Sequence, residues 1–312
     1  MKWRSGLAPY LLAFPAVLWV LVFSIWPFLN TVWLSFTNAR PLRTPEPVGL
    51  SNYARLFADE QFGYAVTTSL TYTLIAVPLL TFLPLLVALL VKAKVPGISF
   101  FRTTIYFPVI ASVVVVGIIW MWMFDSQGLV NQTLQVLGVT DRPVNFLVDR
   151  WLIILTAALL TIWKGLGYYM VVYLAALGSI DKELYEAAAL DGAGAIGRFW
   201  HVTVPGVRGA MLLITALITA AAMRVFSELY VLTNGSGGPG GHAMSLVMQI
   251  KQVGSGLTGQ IGYASALSVT LFVLTIGPMA FVGWIQQGDT VKEAWARWRK
   301  GRAYRKSRVV AS

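Results

Sequence analysis

The chain has 312 residues, 57% of them hydrophobic and 12% charged, with a mean hydropathy of +0.68 and a formal net charge of +11. A soluble domain could not cover that much apolar surface, so the composition indicates a polytopic membrane protein. The absence of cysteine excludes disulfides, thiolate metal sites and a cysteine nucleophile, and two histidines with 13 acidic residues leave little for metal-dependent or acid–base catalysis.

A spanning helix needs about 20 mostly apolar residues and cannot cheaply carry an ion at its centre, so long charge-free intervals are the primary signal. Taken in order, they run from Ser5 to Ala39, Gln61 to Val91, Thr103 to Phe124, and Trp151 to Ile180 with Lys164 inside. A fifth, Gly209 to Thr233, holds Arg224 and Glu228, and a sixth runs from Gln252 to Gly288. The reading is an all-α, six-span, single-domain membrane protein over 1–312. Met1-Lys2-Trp3-Arg4 before an apolar run resembles a signal peptide, but the run continues past a typical apolar region with no convincing cleavage site, so it reads as a retained first span.

With the N-terminus in the cytoplasm, lysines and arginines on the inner side outnumber those outside by 16 to 6. Both termini are therefore expected to be cytoplasmic. Outside lie Asn38 to Glu60, Pro-rich and ending in the amphipathic pattern Tyr53, Leu56, Phe57; then Asp125 to Arg150; and then Asn234 to Gln260. The last opens on Gly-Ser-Gly-Gly-Pro-Gly-Gly, which suggests a flexible or irregular loop with little core of its own. Prolines 78, 84, 108 and 278 allow kinks within spans. Of 24 Lys and Arg, eight fall in the last 21 residues, forming a basic tail over 289–312 that suits an anionic cytoplasmic leaflet better than nucleic acid.

The inner connection 179–205 has its own pattern. Ser179 and Asp181 suit a helix start, Leu184, Tyr185, Ala188 and Ala189 recur at helical spacing, and Gly192 stops the helix. Ile196, Phe199 and Trp200 then form a second short apolar face, and Pro205 suits the first turn of the next span. Alanines keep one face low for close approach, with the carboxylates of Glu186 and Asp191 at its rim. On hydrophobic pattern alone this is an interfacial amphipathic connector.

The order Glu186-Ala187-Ala188, Asp191-Gly192, and Val202, Val204, Pro205 resembles the EAA signature of permease subunits in binding-protein-dependent ABC importers, with valine where the family usually has isoleucine and leucine. Gly49-Leu50-Ser51-Asn52-Tyr53 with Leu56-Phe57, Phe107-Pro108, and Tyr230-Val-Leu-Thr-Asn-Gly with Gly237-Gly238-Pro239 narrow the resemblance to carbohydrate-importer permeases of the MalF and UgpA type. The interval Asp125 to Arg150 is too short for the large extra periplasmic domain of the enterobacterial maltose subunit. The resemblance implies a MetI-like fold in the cytoplasmic membrane and a MalG-like second permease. It also implies two ATP-binding cassette subunits that bind ATP and Mg and seat the coupling loop at Glu186, Ala187, Ala188, Asp191, Gly192 and Pro205, and an extracytoplasmic sugar-binding protein. The chain itself would hold no cofactor and be no enzyme, in keeping with its lack of a G-x-x-x-x-G-K-[ST] phosphate loop. A glycerol-3-phosphate importer subunit and an ion-driven secondary transporter are the alternatives, the latter usually needing more spans or an inverted repeat.

Lys164, Arg224 and Glu228 are costly at membrane depth unless they face a wet or protein-lined cavity. Arg224 and Glu228, four apart, would share a helix face and pair. Together with Tyr168, Phe226 and Tyr230 these residues are candidates for a substrate path, the rings offering faces to sugar C–H groups. A structural ion pair completed by Lys164, and aromatics that pack helices, is the competing reading.

Overall fold

The computed structural model describes residues 8–93, 95–280, 283 and 284. Met1 to Arg4, Lys94 and the basic tail 289–312 lie outside the described residues. Helix α1 (Ala8–Val20), a π-turn over Leu21–Ile25 and α2 (Trp26–Leu34) form one apolar rod, Tyr10–Leu34. Phe28 in it stands 4.6 Å, ring to ring, from Phe272. After α3 (Ser51–Ala58) come α4 (Glu60–Val91), α5 (Ile98–Ile110), α6 (Val113–Met123), α7 (Leu129–Val136) and α8 (Arg150–Gly178). Then follow α9 (Lys182–Leu190), α10 (Ala195–Arg198), a π-turn over Phe199–Thr203, α11 (Val204–Gly206), α12 (Arg208–Ala222), α13 (Ser227–Leu232), a 3₁₀ turn at Pro239–Gly241, α14 (Leu246–Gly254) and α15 (Ile261–Ala280).

Four of these are long and apolar enough to cross a membrane, and six spans result if each of two bent pairs is one crossing. The structure changes three of the expected spans. In the third, the kink that Pro108 allows is a turn of 98° between α5 and α6. Pro108 lacks an N–H in the last turn of α5, and Ala111 and Ser112 are extended. The fifth span starts at Arg208 after a 70° bend and its helix ends at Ala222, because Phe226 (φ −140°, ψ −61°) is not helical. The sixth starts at Ile261, since Gln252 belongs to α14.

Helices α4 and α8 are the central pair. Toward α14, Tyr72 and Ala76 pack with Ile153, Ile154, Ala157 and Ala158, and with Leu229 and Leu232 of α13. Toward α9, Leu80, Leu85 and Ala88 pack with Met170, Tyr173 and Leu177, and with Ile214 and Ile218 of α12. Alanine at the contacts lets helices approach where no hydrophobic effect drives them together. Gly167 serves the crossing of α5 over α8: a Cβ there would overlap the Ile105 carbonyl and lie 2.6 Å from Tyr106 Cα.

The α14 side is tied by polar contacts. Asp59 caps α4 through Gln61 N at 3.0 Å and accepts from Tyr263 Oη at 2.5 Å and Gln249 Nε2 at 3.3 Å. The glycine-rich connection is irregular, as expected, but it is not loose. Positive φ at Gly235, Gly237, Gly238, Gly240 and Gly241 folds it back on α4. Gln61 Nε2 then donates to Gly241 O at 2.7 Å, Thr68 Oγ1 to His242 O at 3.1 Å, and Leu246 N to Ser69 Oγ at 3.1 Å. Ala243, Met244, Ser245 and Leu246 are buried as a result. In α3, Leu56 is buried and Tyr53 half-buried, whereas Phe57 is 89% exposed and lies off the predicted apolar face.

Overpacking a close helix crossing costs about 1–3 kcal/mol. Gly167→Ala is therefore expected to melt several degrees below the parent in detergent, while Gly63→Ala, with nothing within 4 Å of the added carbon, should not. Differential scanning fluorimetry checks this, and equal melting of the two variants would refute the close crossing.

Candidate functional site

A cavity of about 350 Å³ opens where α4, α5, α8 and the α12–α13 break converge. Its lining includes Tyr72, Val109, Thr161, Lys164, Gly165, Tyr168, Tyr169, Arg224, Phe226, Ser227 and Glu228. Of the six predicted path residues, Lys164, Tyr168, Arg224, Phe226 and Glu228 thus share one wall. Tyr230 does not line it; its ring stacks on Phe226 at 4.9 Å between centroids, and Lys251 Nζ lies 3.9 Å over it.

The end of α5 explains the position of Lys164. A helix leaves its last carbonyls without partners, and inside an apolar layer each needs a donor. Lys164 Nζ supplies one, donating to Val109 O at 3.0 Å from the neighbouring α8. Placing a cation at a helix C-terminus is also favourable to the helix dipole.

Arg224 and Glu228 do not share a helix face, because the chain leaves the helix between them. Arg224 Nε donates to Ala220 O at 2.8 Å, back along α12, and among the described residues the two side chains form no ion pair. Glu228 lies in the first turn of α13, half-buried, and lines the cavity that Lys164 enters from α8. Thr161 Oγ1 is 2.5 Å from Tyr72 Oη. The predicted Arg224–Glu228 pair is therefore absent among the described residues, and Glu228 instead shares the cavity with Lys164 of the neighbouring helix. Tyr72, Thr161 and Val109 were not singled out from sequence: hydroxyls in apolar helices and a backbone carbonyl carry no recognisable pattern.

The predicted coupling loop is a separate feature on the opposite side of the α4–α8 pair from α14. Glu186, Ala187 and Ala188 lie in α9, Asp191 is its C-cap, and Gly192 has φ +80°. Ala193 N bonds Ala188 O at 2.9 Å and Gly192 N bonds Ala189 O at 3.1 Å, a Schellman ending that needs a residue able to take positive φ. Asp181 occupies the N-cap position without a side-chain bond, and Ser179 closes the preceding helix instead, its Oγ donating to Ala176 O at 2.7 Å. Pro205 falls in α11, before the 70° bend, rather than opening the span.

No residue of α9 or α10 is buried. Leu190 is 90% and Ile196 77% exposed, and Trp200 is exposed beside a half-buried Phe199. The loop is held at its base by Tyr185 Oη with Thr203 Oγ1 at 3.1 Å, and by Lys92 Nζ 5.1 Å over the Tyr185 ring. His201 and His242 are on opposite sides: His201 Nδ1 lies 2.9 Å from Gly197 O, while His242 stacks on Tyr64 at 4.1 Å.

Residues 53–288 match the family described as binding-protein-dependent transport system inner membrane component. The lactose transport system permease protein LacF of Rhizobium radiobacter is 32% identical over 287 residues, 89% of this chain and 95% of the relative. The trehalose/maltose transport system permease protein MalF of Thermococcus litoralis is 32% identical over 278 residues, covering 88% and 92%. The sn-glycerol-3-phosphate transport system permease protein UgpA of Yersinia pestis is 30% identical over 274 residues, covering 86% and 90%. In fold, the chain matches a solved bacterial ABC transporter involved in the import of the acidic polysaccharide alginate, with a TM-score of 0.74 over 89% of this chain and 94% of that one at 24% identity.

The charge arrangement is open to a double-mutant cycle. Lys164→Met with Glu228→Gln should show a coupling of about 1 kcal/mol in unfolding measurements, while Arg224→Gln with Glu228→Gln should add within about 0.5 kcal/mol. Coupling in the second pair alone would restore the arrangement expected from the i, i+4 spacing.

Proposed function

Because this chain belongs to the family of binding-protein-dependent transport system inner membrane components, we propose that it is the translocating subunit of an ATP-driven carbohydrate importer. Relatives named as lactose and trehalose/maltose permeases, aligned over nearly their whole length, support the substrate class. The chain works with a second, MalG-like permease, two ATPase subunits and an extracytoplasmic sugar-binding protein. It carries no nucleotide site; ATP and Mg belong to the ATPases. Its α9 side faces the cytoplasm, as do both termini.

The observation that carries this reading is the α9–α10 loop. A helix ended by a Schellman turn, with no buried residue and with large apolar side chains presented to solvent, has a fixed shape and is held to its own chain through a narrow base at Tyr185. Exposed apolar surface of this kind marks an interaction site. Glu186, Ala187, Ala188, Asp191, Gly192 and Pro205 form the face that seats on an ATPase. Closure of the ATPase pair then moves α9 and α10 as a unit, and the joint at Val207, between α11 and α12, passes that displacement to the helix whose far end borders the cavity.

The cavity residues Lys164, Tyr168, Arg224, Phe226 and Glu228 form this chain's wall of the substrate path, and Tyr230 lies behind Phe226 as its support. Alternating access exposes that wall to either side in turn.

In proteoliposomes holding all subunits, uptake should require ATP, the partner permease and the binding protein. Glu186→Lys and Gly192→Asp are each expected to abolish uptake and reduce co-purification of the ATPase while membrane insertion stays normal. Undiminished uptake by both variants at parental subunit levels would sink the docking role, and ATP-independent uptake would sink the importer.

A further inference from the structure

We propose that the substrate carried past this cavity is an acidic carbohydrate, its anionic group received by the guanidinium of Arg224. The inference rests on the reading of the chain as a carbohydrate permease and specifies the charge of what it carries.

Three charged side chains line the cavity: Lys164, Arg224 and Glu228. Lys164 is engaged by the Val109 carbonyl, to which it donates. Arg224 is the cation in the lining whose terminal donors are left open. Arg224 uses Nε on Ala220 O, and among the described residues neither of its terminal amino groups has a hydrogen bond and no carboxylate pairs with it. The side chain is exposed into the cavity mouth rather than packed away.

An arginine stays charged at any accessible pH and presents a planar fork that matches a carboxylate or phosphate with two parallel bonds. Facing the cavity, the fork is hydrated in the empty protein and its donors are open to a ligand. A neutral sugar offers it dipoles but no charge, whereas a uronate or a sugar phosphate matches it with two charge-assisted bonds. The nearby rings are suited to the rest of such a ligand. Tyr168 is about half exposed and edge-on to Tyr169 at 5.1 Å, and Phe226 is backed by Tyr230, so both offer supported faces to sugar C–H surface. A volume of about 350 Å³ lies at the small end of ligand cavities, which run from about 300 to 1,000 Å³, and suits a short saccharide unit.

One rival can satisfy the same guanidinium. Arg224 also borders a cleft against α15, lined by Ser268, Leu271, Phe272 and Thr275, where a carboxylate of the second permease could reach it. The two occupants differ in what a substitution does.

The test uses the complete complex with its binding protein in proteoliposomes and three probes: a digalacturonate, a neutral disaccharide of the same size, and a sugar phosphate. Parent, Arg224→Gln and Arg224→Lys share one binding protein, so its own selectivity cancels in the ratios between variants. Arg224→Gln is expected to lose at least about tenfold more in kcat/KM for an acidic probe than for any neutral sugar carried, with Arg224→Lys in between because it retains charge without the fork. Whether the digalacturonate or the sugar phosphate shows the loss identifies the anionic group. Preferred uptake of the neutral disaccharide, with ratios unchanged in Arg224→Gln, would overturn the proposal while leaving the permease reading intact. Equal loss for every probe, with weaker recovery of the second permease, would overturn it in favour of an intersubunit pair. Absence of ATP-dependent uptake for any carbohydrate in the parent would instead remove the carbohydrate reading on which the proposal stands.

Discussion

A carbonyl that loses its helical partner within an apolar layer must be given another donor, and the charged half of this molecule is arranged around that requirement. Helix α5 ends at Ile110, and Lys164 crosses from α8 to hold the freed carbonyl of Val109. Glu228, at the head of α13, lines the same cavity as the cation fixed there. The broken helix and the polar cavity are therefore a single feature. Straightening α5 into α6 would take away the acceptor that holds this half-buried lysine.

The rest of the architecture holds this arrangement at a fixed depth. Helices α4 and α8 pack along their length through alanine and other small residues, and each end of the pair is finished differently. Toward α14, Asp59, Gln61, Thr68 and Ser69 bind backbone and side chains of the segments that follow α13, so several connections are gathered onto one helix. Toward α9, the attachment is a narrow base at Tyr185 and Thr203, with the remaining surface of the loop left open. One end is clamped and the other presented.

Much of this was legible in the sequence, for reasons that also define where legibility stopped. Runs without charge locate spans because the cost of an ion in hydrocarbon is large and local, and the four long apolar helices and the two bent pairs all overlap such runs. Gly192 marked the end of α9 because only its backbone freedom suits the turn that follows. The bend at Ala111 had a visible herald in Pro108, but a proline in an apolar helix is compatible with a gentle kink as well as a 98° turn. The break at Met223 to Phe226 had no herald: neither glycine nor proline occurs there, and the i, i+4 spacing of Arg224 and Glu228 suggested a pair that the structure lacks. The contact that organises the cavity joins residues 55 apart, one of them through its main chain, and no side-chain pattern encodes that. The glycine-rich connection was misjudged as short of packing because its partners, Gln61, Thr68 and Ser69, lie on a distant helix whose apolar pattern gave no sign of a polar edge.

The openness of α9 and α10 has a consequence for how this chain can change over generations. Residues in a core are screened by their own neighbours, so drift there reports on folding. No residue in these two helices is buried, and apart from Tyr185 at the base the fold would accept most substitutions in them. Restriction at the exposed positions must come from outside the polypeptide. On the docking role proposed for it, this stretch can be exchanged between related chains without disturbing the membrane portion, and a chain so altered would answer to a different motor while keeping its own cargo.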